Sequence, residues 1–284
     1  NATKTFYIAL PPTTAKLTIT IKDYPWNRSI SQSNAHTFEA NHGYNAPFNF
    51  APPANEIWYT SNASRVPFDA TSSLFNTKNK QGVNIFADSI STIPQSWYIV
   101  TNLITVTLPA SVTTLDTKAF YECDKLTSIV MPGVTTLGDE VFERCSVLSD
   151  ISLSNITTIG ASAFKLCASL SSVTMPNVTV LPIGAFYQCT SLETASIPNV
   201  ATISPTAFAI CTSLTSITMT NVSSIMNKAF VNCSSLAHIY SNSTSPTTYA
   251  TSFLSVPNTA TLHLPSSCQG ATWTGWNGNY TYDL

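Results

Sequence analysis

The sequence predicts a solenoid: stacked coils with a parallel β-sheet on one side and short helical turns on the other, an α/β-type superhelix preceded by a small all-β segment. Three observations predict it. Cys123, Cys145, Cys167, Cys189, Cys211 and Cys233 recur at intervals of 22 residues. Phe120, Phe142, Phe164, Phe186, Phe208 and Phe230 stand three residues before each cysteine, and Leu126, Leu148, Leu170, Leu192, Leu214 and Leu236 three after. Between these landmarks a short apolar alternation follows each leucine, as in Ile129 and Met131 or Val173 and Met175. One such unit cannot close a core, but stacked units bury each apolar position against its copies above and below.

In chain order, residues 1–52 read as a small β-strand segment, with alternating strands at Thr5–Pro11 and Leu17–Ile21. Pro52-Pro53 marks a joint, and 53–80 reads as a linker and N-terminal cap. Repeats of 22 residues run over 81–241. Their first units are irregular. One, with Val83, Ile85, Ile90 and Ile93, places Trp97 at the Phe position; the next, from Leu103 to Phe120, carries one extra residue. Each regular unit reads L-x-x-I-x-M-P-x-V-x-x-I-x-x-x-A-F-x-x-C. The alternating part is expected to be a strand, ended by Pro132, Pro176 or Pro198, because proline cannot donate to a ladder. The three-residue spacing of Ala-Phe-x-x-Cys suggests a helical turn that returns the chain. After Ile239 the pattern decays, and 242–284 reads as a C-terminal cap with a last strand at Ala260–Pro265 and covering bulk from Trp273, Trp276 and Tyr280.

This unit resembles the BspA-like leucine-rich repeat family of bacterial and some protist surfaces, over residues 80–284. The resemblance carries the fold expectation to a leucine-rich-repeat solenoid. The upstream strands, with Asn55–Ser61, are similar to a fragment of the fimbrillin-like β-sandwich of gut Bacteroidetes surface proteins. Together these resemblances imply an exported protein held at the cell surface or outer membrane by an anchor outside this chain, with an adhesin-like role toward an external protein or glycan.

Composition narrows the function classes. Only 9% of the residues are charged and the net charge is −2, so no field attracts nucleic acid or anionic lipid. From Leu166 onward only Glu193, Lys228 and Asp283 are charged. No apolar run is long enough to span a bilayer. The start at Asn1, with neither Met nor signal peptide, suggests a trimmed mature form or an expressed fragment. The sequons at Asn62, Asn177 and Asn221 are expected by chance in so Ser/Thr/Asn-rich a chain.

Catalytic and metal chemistry find little support in the sequence. The cysteine column is expected to be buried thiols packing as small apolar groups. Disulfides between neighbouring coils are the alternative, though parallel side chains give them poor geometry; Cys268 lies outside the column. A straight column does not converge as a tetrahedral metal site requires. His36 and His42 stand near Glu39 and read as a solvated strand edge, while His238 and His263 have almost no acids near them. Asp139, Glu140 and Glu143 are acids that could pair as in a glycosidase, but they are expected to lie on an exposed helical turn. No phosphate-binding glycine motif occurs. The expected protein is therefore not an enzyme, needs no cofactor or metal and is a monomer.

The remaining candidate is the outward, concave side of the strands. Alternation points Thr105 and Thr107, Ser128 and Val130, Asp150 and Ser152, Ser172 and Thr174, Thr194 and Ser196, Ser216 and Thr218, and His238 and Tyr240 outward. Asp150, Ser172, Thr194, Ser216, His238 and Tyr240 are the candidate ligand contacts, with the His238–Tyr240 end favoured because the rest is a Ser/Thr carpet. A passive stalk with no ligand of its own is the competing expectation.

Overall fold

A computed structural model describes residues 91–93, 104–108 and 110–282, together with the backbone of six upstream strands: Thr13–Ala15, Thr18–Ile21, Arg28–Ser31, His36–Phe38, Glu56–Thr60 and Gly82–Phe86. From Glu56 onward the strands join parallel ladders. Glu56–Thr60 pairs with Gly82–Phe86, which pairs with Thr105–Thr107. From Glu56 onward the described residues form a parallel solenoid of stacked coils. The expected fimbrillin-like fragment is not supported. Thr5–Pro11 and most of residues 1–52 lie outside the described residues. The two antiparallel pairs seen there, Thr13–Ala15 with His36–Phe38 and Thr18–Ile21 with Arg28–Ser31, belong to separate two-stranded sheets. A sandwich requires two sheets packed face to face.

Each coil has three sides, seen in residues 171–192. The first is a strand, Ser172–Thr174, paired in parallel with Thr194–Ser196 of the next coil. Its middle residue, Val173, is buried and its neighbours are exposed, as a period of two requires. Pro176 and Asn177 turn the corner, and the Asn177 amide donates to the Ser154 carbonyl of the coil before. Asn155 and Asn199 make the same bond, so asparagine holds this corner at successive levels. The second side is a two-residue strand, Val180–Leu181, paired with Thr202–Ile203. The third side returns the chain past Phe186 and Cys189.

That third side is not helical, which corrects the expected helical turns. The described residues contain only one short 3₁₀ helix, Ser266–Cys268, and it lies outside the repeats. Each return segment from Lys118 to Asn232 places two residues four apart in the left-handed region. Lys118 and Glu122, Glu140 and Arg144, Ser162 and Leu166, and the matching pairs beyond have φ between 54° and 65°. An α-helix cannot contain such residues. Successive amides instead alternate in direction. Ser162, Phe164 and Leu166 donate to Ile183, Ala185 and Tyr187 of the next coil, while Lys165 and Cys167 close tight turns onto Ser162 and Phe164. The three-residue spacing is thus that of repeated turns, and half of the hydrogen bonds leave the coil. Inter-coil bonding offsets the cost of the left-handed residues.

The core runs along the solenoid as rows of identical side chains. The phenylalanine rings from Phe120 to Phe230 stack with centroids 5.2–5.4 Å apart and interplanar angles of 2–19°. Beside them the cysteines form a second row. Each thiol from Cys145 to Cys233 donates to the phenylalanine carbonyl of the preceding coil at 3.1 Å, beginning with Cys145 to Phe120. The row carries thiols and no disulfides. Cysteine is therefore more than a filler here: it satisfies a buried carbonyl while fitting a small space.

Coils toward both ends depart from the 22-residue length. Thr105 pairs with Ser128, so the earlier coil is one residue longer. Val112 and Val134 both return to the buried row, which places the extra residue at the corner around Ala110. Gly133 lies over that corner, where a Cβ would collide with the Ala110 carbonyl. At the other end, the pattern that thins after Ile239 continues as a coil of 23 residues. Thr247–Thr248 pairs with Ser224–Ile225, Thr261–His263 pairs with His238–Tyr240, and Phe253 adds a seventh ring 5.4 Å from Phe230. Trp276 meets Phe253 edge-on at 5.2 Å, and Trp273 lies tilted against it at 6.2 Å.

The strand ladders are divided at one level. Asp150–Ile151 ends one sheet and Ser172–Thr174 begins another, and on the second side Thr158–Ile159 and Val180–Leu181 are divided in the same way. The third side crosses this level unbroken, through the Ser162, Phe164 and Leu166 amides. Phe164 and Phe186 also stack across it, 5.2 Å apart.

Candidate functional site

The six candidate contacts fall into different places. Ser172, Thr194, Ser216 and His238 stand in one register column of one sheet, pairing successively across neighbouring strands. Asp150 is exposed but ends the other sheet, beyond the divided level, so it does not join them. Tyr240 belongs to the parallel column of Thr174, Ser196 and Thr218. Over most of this face the side chains are hydroxyls, exposed or half-buried.

At the His238 end the character changes. The strand Thr261–His263 lies beside His238–Tyr240, so His263 is directly opposite Tyr240. The Tyr240 and His263 rings stack with centroids 4.4 Å apart and an 18° angle. The His238 and His263 rings lie 5.2 Å apart, with His238 Nδ1 3.0 Å from His263 Nε2. One of these nitrogens donates and the other accepts, according to tautomer. His238 is exposed, and Tyr240 and His263 are half-buried. Two histidines and a tyrosine thus form one ring cluster on a strand surface otherwise made of small side chains.

His263 is the residue that sequence reasoning left out of the face. The signal was present: Leu262 is the buried residue of its strand, which points Thr261 and His263 outward by alternation. The coil between them is 23 residues long and has no cysteine, and Val256 takes that level of the row. The register linking His263 to Tyr240 was therefore hidden.

The other candidates are committed elsewhere. Glu143 is buried, and its carboxylate meets Lys165 Nζ at 2.9 Å; Glu140 pairs with Lys118 at 3.2 Å. The Asp139 carboxylate accepts the Ala161 amide at 2.7 Å. These acids bind successive return segments together and do not face one another across a cleft. Asn177 and Asn221, both in sequons, spend their side-chain amides on Ser154 and Asn199 of the preceding coils. Burial pushes the thiols of Cys123 and Cys233 up to about 12, and those of Cys145, Cys167, Cys189 and Cys211 well above the ordinary range. A thiol so held does not form the thiolate that nucleophilic or metal chemistry needs. Among the described residues no group of three His, Cys, Asp or Glu side chains is placed to hold a metal, and no helix is long and apolar enough to cross a membrane. His36 and His42 have side chains outside the described residues.

Several known structures are similar. A leucine-rich repeat protein from Eubacterium ventriosum is 19% identical, with 63% of each chain covered and a TM-score of 0.47. The leucine-rich repeat protein of T. pallidum is 26% identical, over 50% of this chain and 64% of that one, with a TM-score of 0.42. A leucine-rich repeat protein from Bacteroides ovatus is 19% identical, over 73% of this chain and 74% of that one, with a TM-score of 0.43. The chain spans less than two thirds of the length of the first two. A comparison with curated proteins finds no match. The family model described as "BspA type Leucine rich repeat region" matches residues 70–193 and 157–272, which takes in most of the repeats whose rows of phenylalanine, cysteine and leucine build the core. This chain belongs to the BspA-type leucine-rich repeat family.

Proposed function

We propose that the chain is a non-enzymatic, exported interaction module that meets an external protein or glycan through the His238–Tyr240 end of its strand face. The observation that carries this reading is the ring cluster of His238, Tyr240 and His263, with Tyr240 and His263 4.4 Å apart. Tyrosine is enriched where binding energy concentrates, because a rigid ring contributes area at little entropic cost and its hydroxyl finds a partner. Repeat solenoids present extended surfaces suited to such contacts. Asp150, Ser172, Thr194 and Ser216 are peripheral in this reading, for they lie away from the cluster or contribute only small hydroxyls.

The test is a glycan array and a pull-down from extracellular protein mixtures, using the recombinant chain and its Tyr240→Ala variant. Binding by the parent that falls at least about tenfold in the variant is the expected result. A second reading, a passive stalk that displays another part of a surface protein, is favoured by the hydroxyl surface of Ser172, Thr194 and Ser216. Absence of ligand in both screens would favour it. Surface labelling of intact cells tests export separately.

A further inference from the structure

We propose that His238 and His263 form a two-imidazole site for a divalent transition-metal ion of tetragonal preference, Cu²⁺ above Ni²⁺. The argument begins with distance. His238 Nδ1 and His263 Nε2 stand 3.0 Å apart. Two imidazole nitrogens bound to one ion at ordinary metal–nitrogen lengths and at right angles are separated by about 2.9 Å, whereas tetrahedral ligation separates them by about 3.4 Å. Without metal that contact is a hydrogen bond; an ion takes its place by ligating both nitrogens once the donor ring's proton moves to its other nitrogen. The pair then stands close to the spacing of adjacent positions of a square or octahedral ion, the arrangement that Cu²⁺ and Ni²⁺ favour with nitrogen ligands. Affinity at such nitrogen sites rises from Ni²⁺ to Cu²⁺.

The setting supports the same assignment. The two histidines come from neighbouring strands whose pairing is parallel and in register, His238 with Thr261 and Tyr240 with His263, so both side chains leave one sheet surface. The Tyr240 ring lies flat against His263 and restricts its rotation. A ring restricted in this way loses less rotational freedom when it ligates. His238 is exposed, so an ion can reach the pair from solvent. Two protein donors leave the remaining positions open to water or to a donor from a second molecule.

This site shares residues with the proposed binding end but does not need the protein or glycan to exist, and its test uses neither. Cu²⁺ alone, and then Ni²⁺ alone, is titrated into the full chain at neutral pH. Calorimetry gives the affinity, and electron paramagnetic resonance of the Cu²⁺ form reports nitrogen ligation. The expected result is one bound ion whose affinity falls at least about tenfold in His238→Asn and in His263→Asn, with loss of the two-nitrogen pattern. Tyr240→Phe is expected to retain the ion, because the stacked ring remains. Thermal melts of both histidine variants establish that the strands stay intact. Uptake that is unchanged in both variants would place the ion elsewhere in the chain and overturn the assignment, as would no uptake by the parent. A failed metal titration leaves the interaction reading standing, and a failed ligand screen leaves the metal site standing.

Discussion

Phe186 lies between Phe164 and Phe208 at centroid distances of 5.2 and 5.3 Å and is fully buried. Phe186→Ala removes a ring from both stacks and leaves a cavity that neighbouring coils cannot close without breaking their own ladders. The expected loss is about 3–5 kcal/mol in denaturant melts, and a loss below about 1 kcal/mol would contradict the placement. Thr248 is the converse case. It occupies the level of Ile225 in the second-side row, and its hydroxyl is buried with no hydrogen-bond partner. Thr248→Val keeps the shape and removes an unsatisfied group, so denaturant melts should show a gain of about 1 kcal/mol. The first residue was legible in the sequence because its spacing repeats. The second was not, because a threonine in a Ser/Thr-rich coil carries no sign of where its hydroxyl points.

At the scale of the element, the cysteine row makes a prediction about pH. The six column thiols are held above their ordinary range chiefly by burial, at about 12 for Cys123 and Cys233. In the unfolded chain they ionise near pH 8.5. Above that pH the unfolded state binds fewer protons than the folded state, so stability falls as pH rises and the loss continues toward the folded values. By pH 9.5 each thiol contributes a loss of about 1.4 kcal/mol, or about 8 kcal/mol for the row. Urea melts at pH 7.5 and 9.5 should therefore differ sharply, and a fall of less than about 2 kcal/mol would show that the row is not buried as thiols. The return segments teach a different lesson at the same scale. Ala-Phe-x-x-Cys has the spacing of a helical turn, and pattern alone does not separate that from repeated tight turns. The pairs of left-handed residues, such as Ser162 and Leu166, have no residue-type signature, since Lys, Glu, Arg and Leu all occupy them. Their conformation follows from the hydrogen bonds made to the next coil.

For the whole molecule, the division of both strand ladders between the levels of Asp150 and Ser172 is the main irregularity. A solenoid's stability is close to a sum of coil and nearest-neighbour terms, so a level with fewer inter-coil bonds is where opening begins. Amide exchange should be at least about tenfold faster for Ser172–Thr174 and Val180–Leu181 than for Ser216–Thr218 and Ser224–Ile225. Equal protection at the two levels would mean that the ladders are continuous in solution.

The 22-residue period was enough to establish stacked coils, the buried phenylalanine, cysteine and leucine rows, and an outward column running from Ser172 to His238. It sufficed because identical side chains at equal spacing can share a core in few ways other than by superposition. The period could not reveal the open level, through which it runs undisturbed from Cys145 to Cys189. Nor could it reveal the turn-built third side or the meeting of His263 with Tyr240 across a coil of irregular length. Those features rest on hydrogen bonds and register between coils, and a repeat in one dimension specifies which residues are equivalent without specifying which backbone groups will bond.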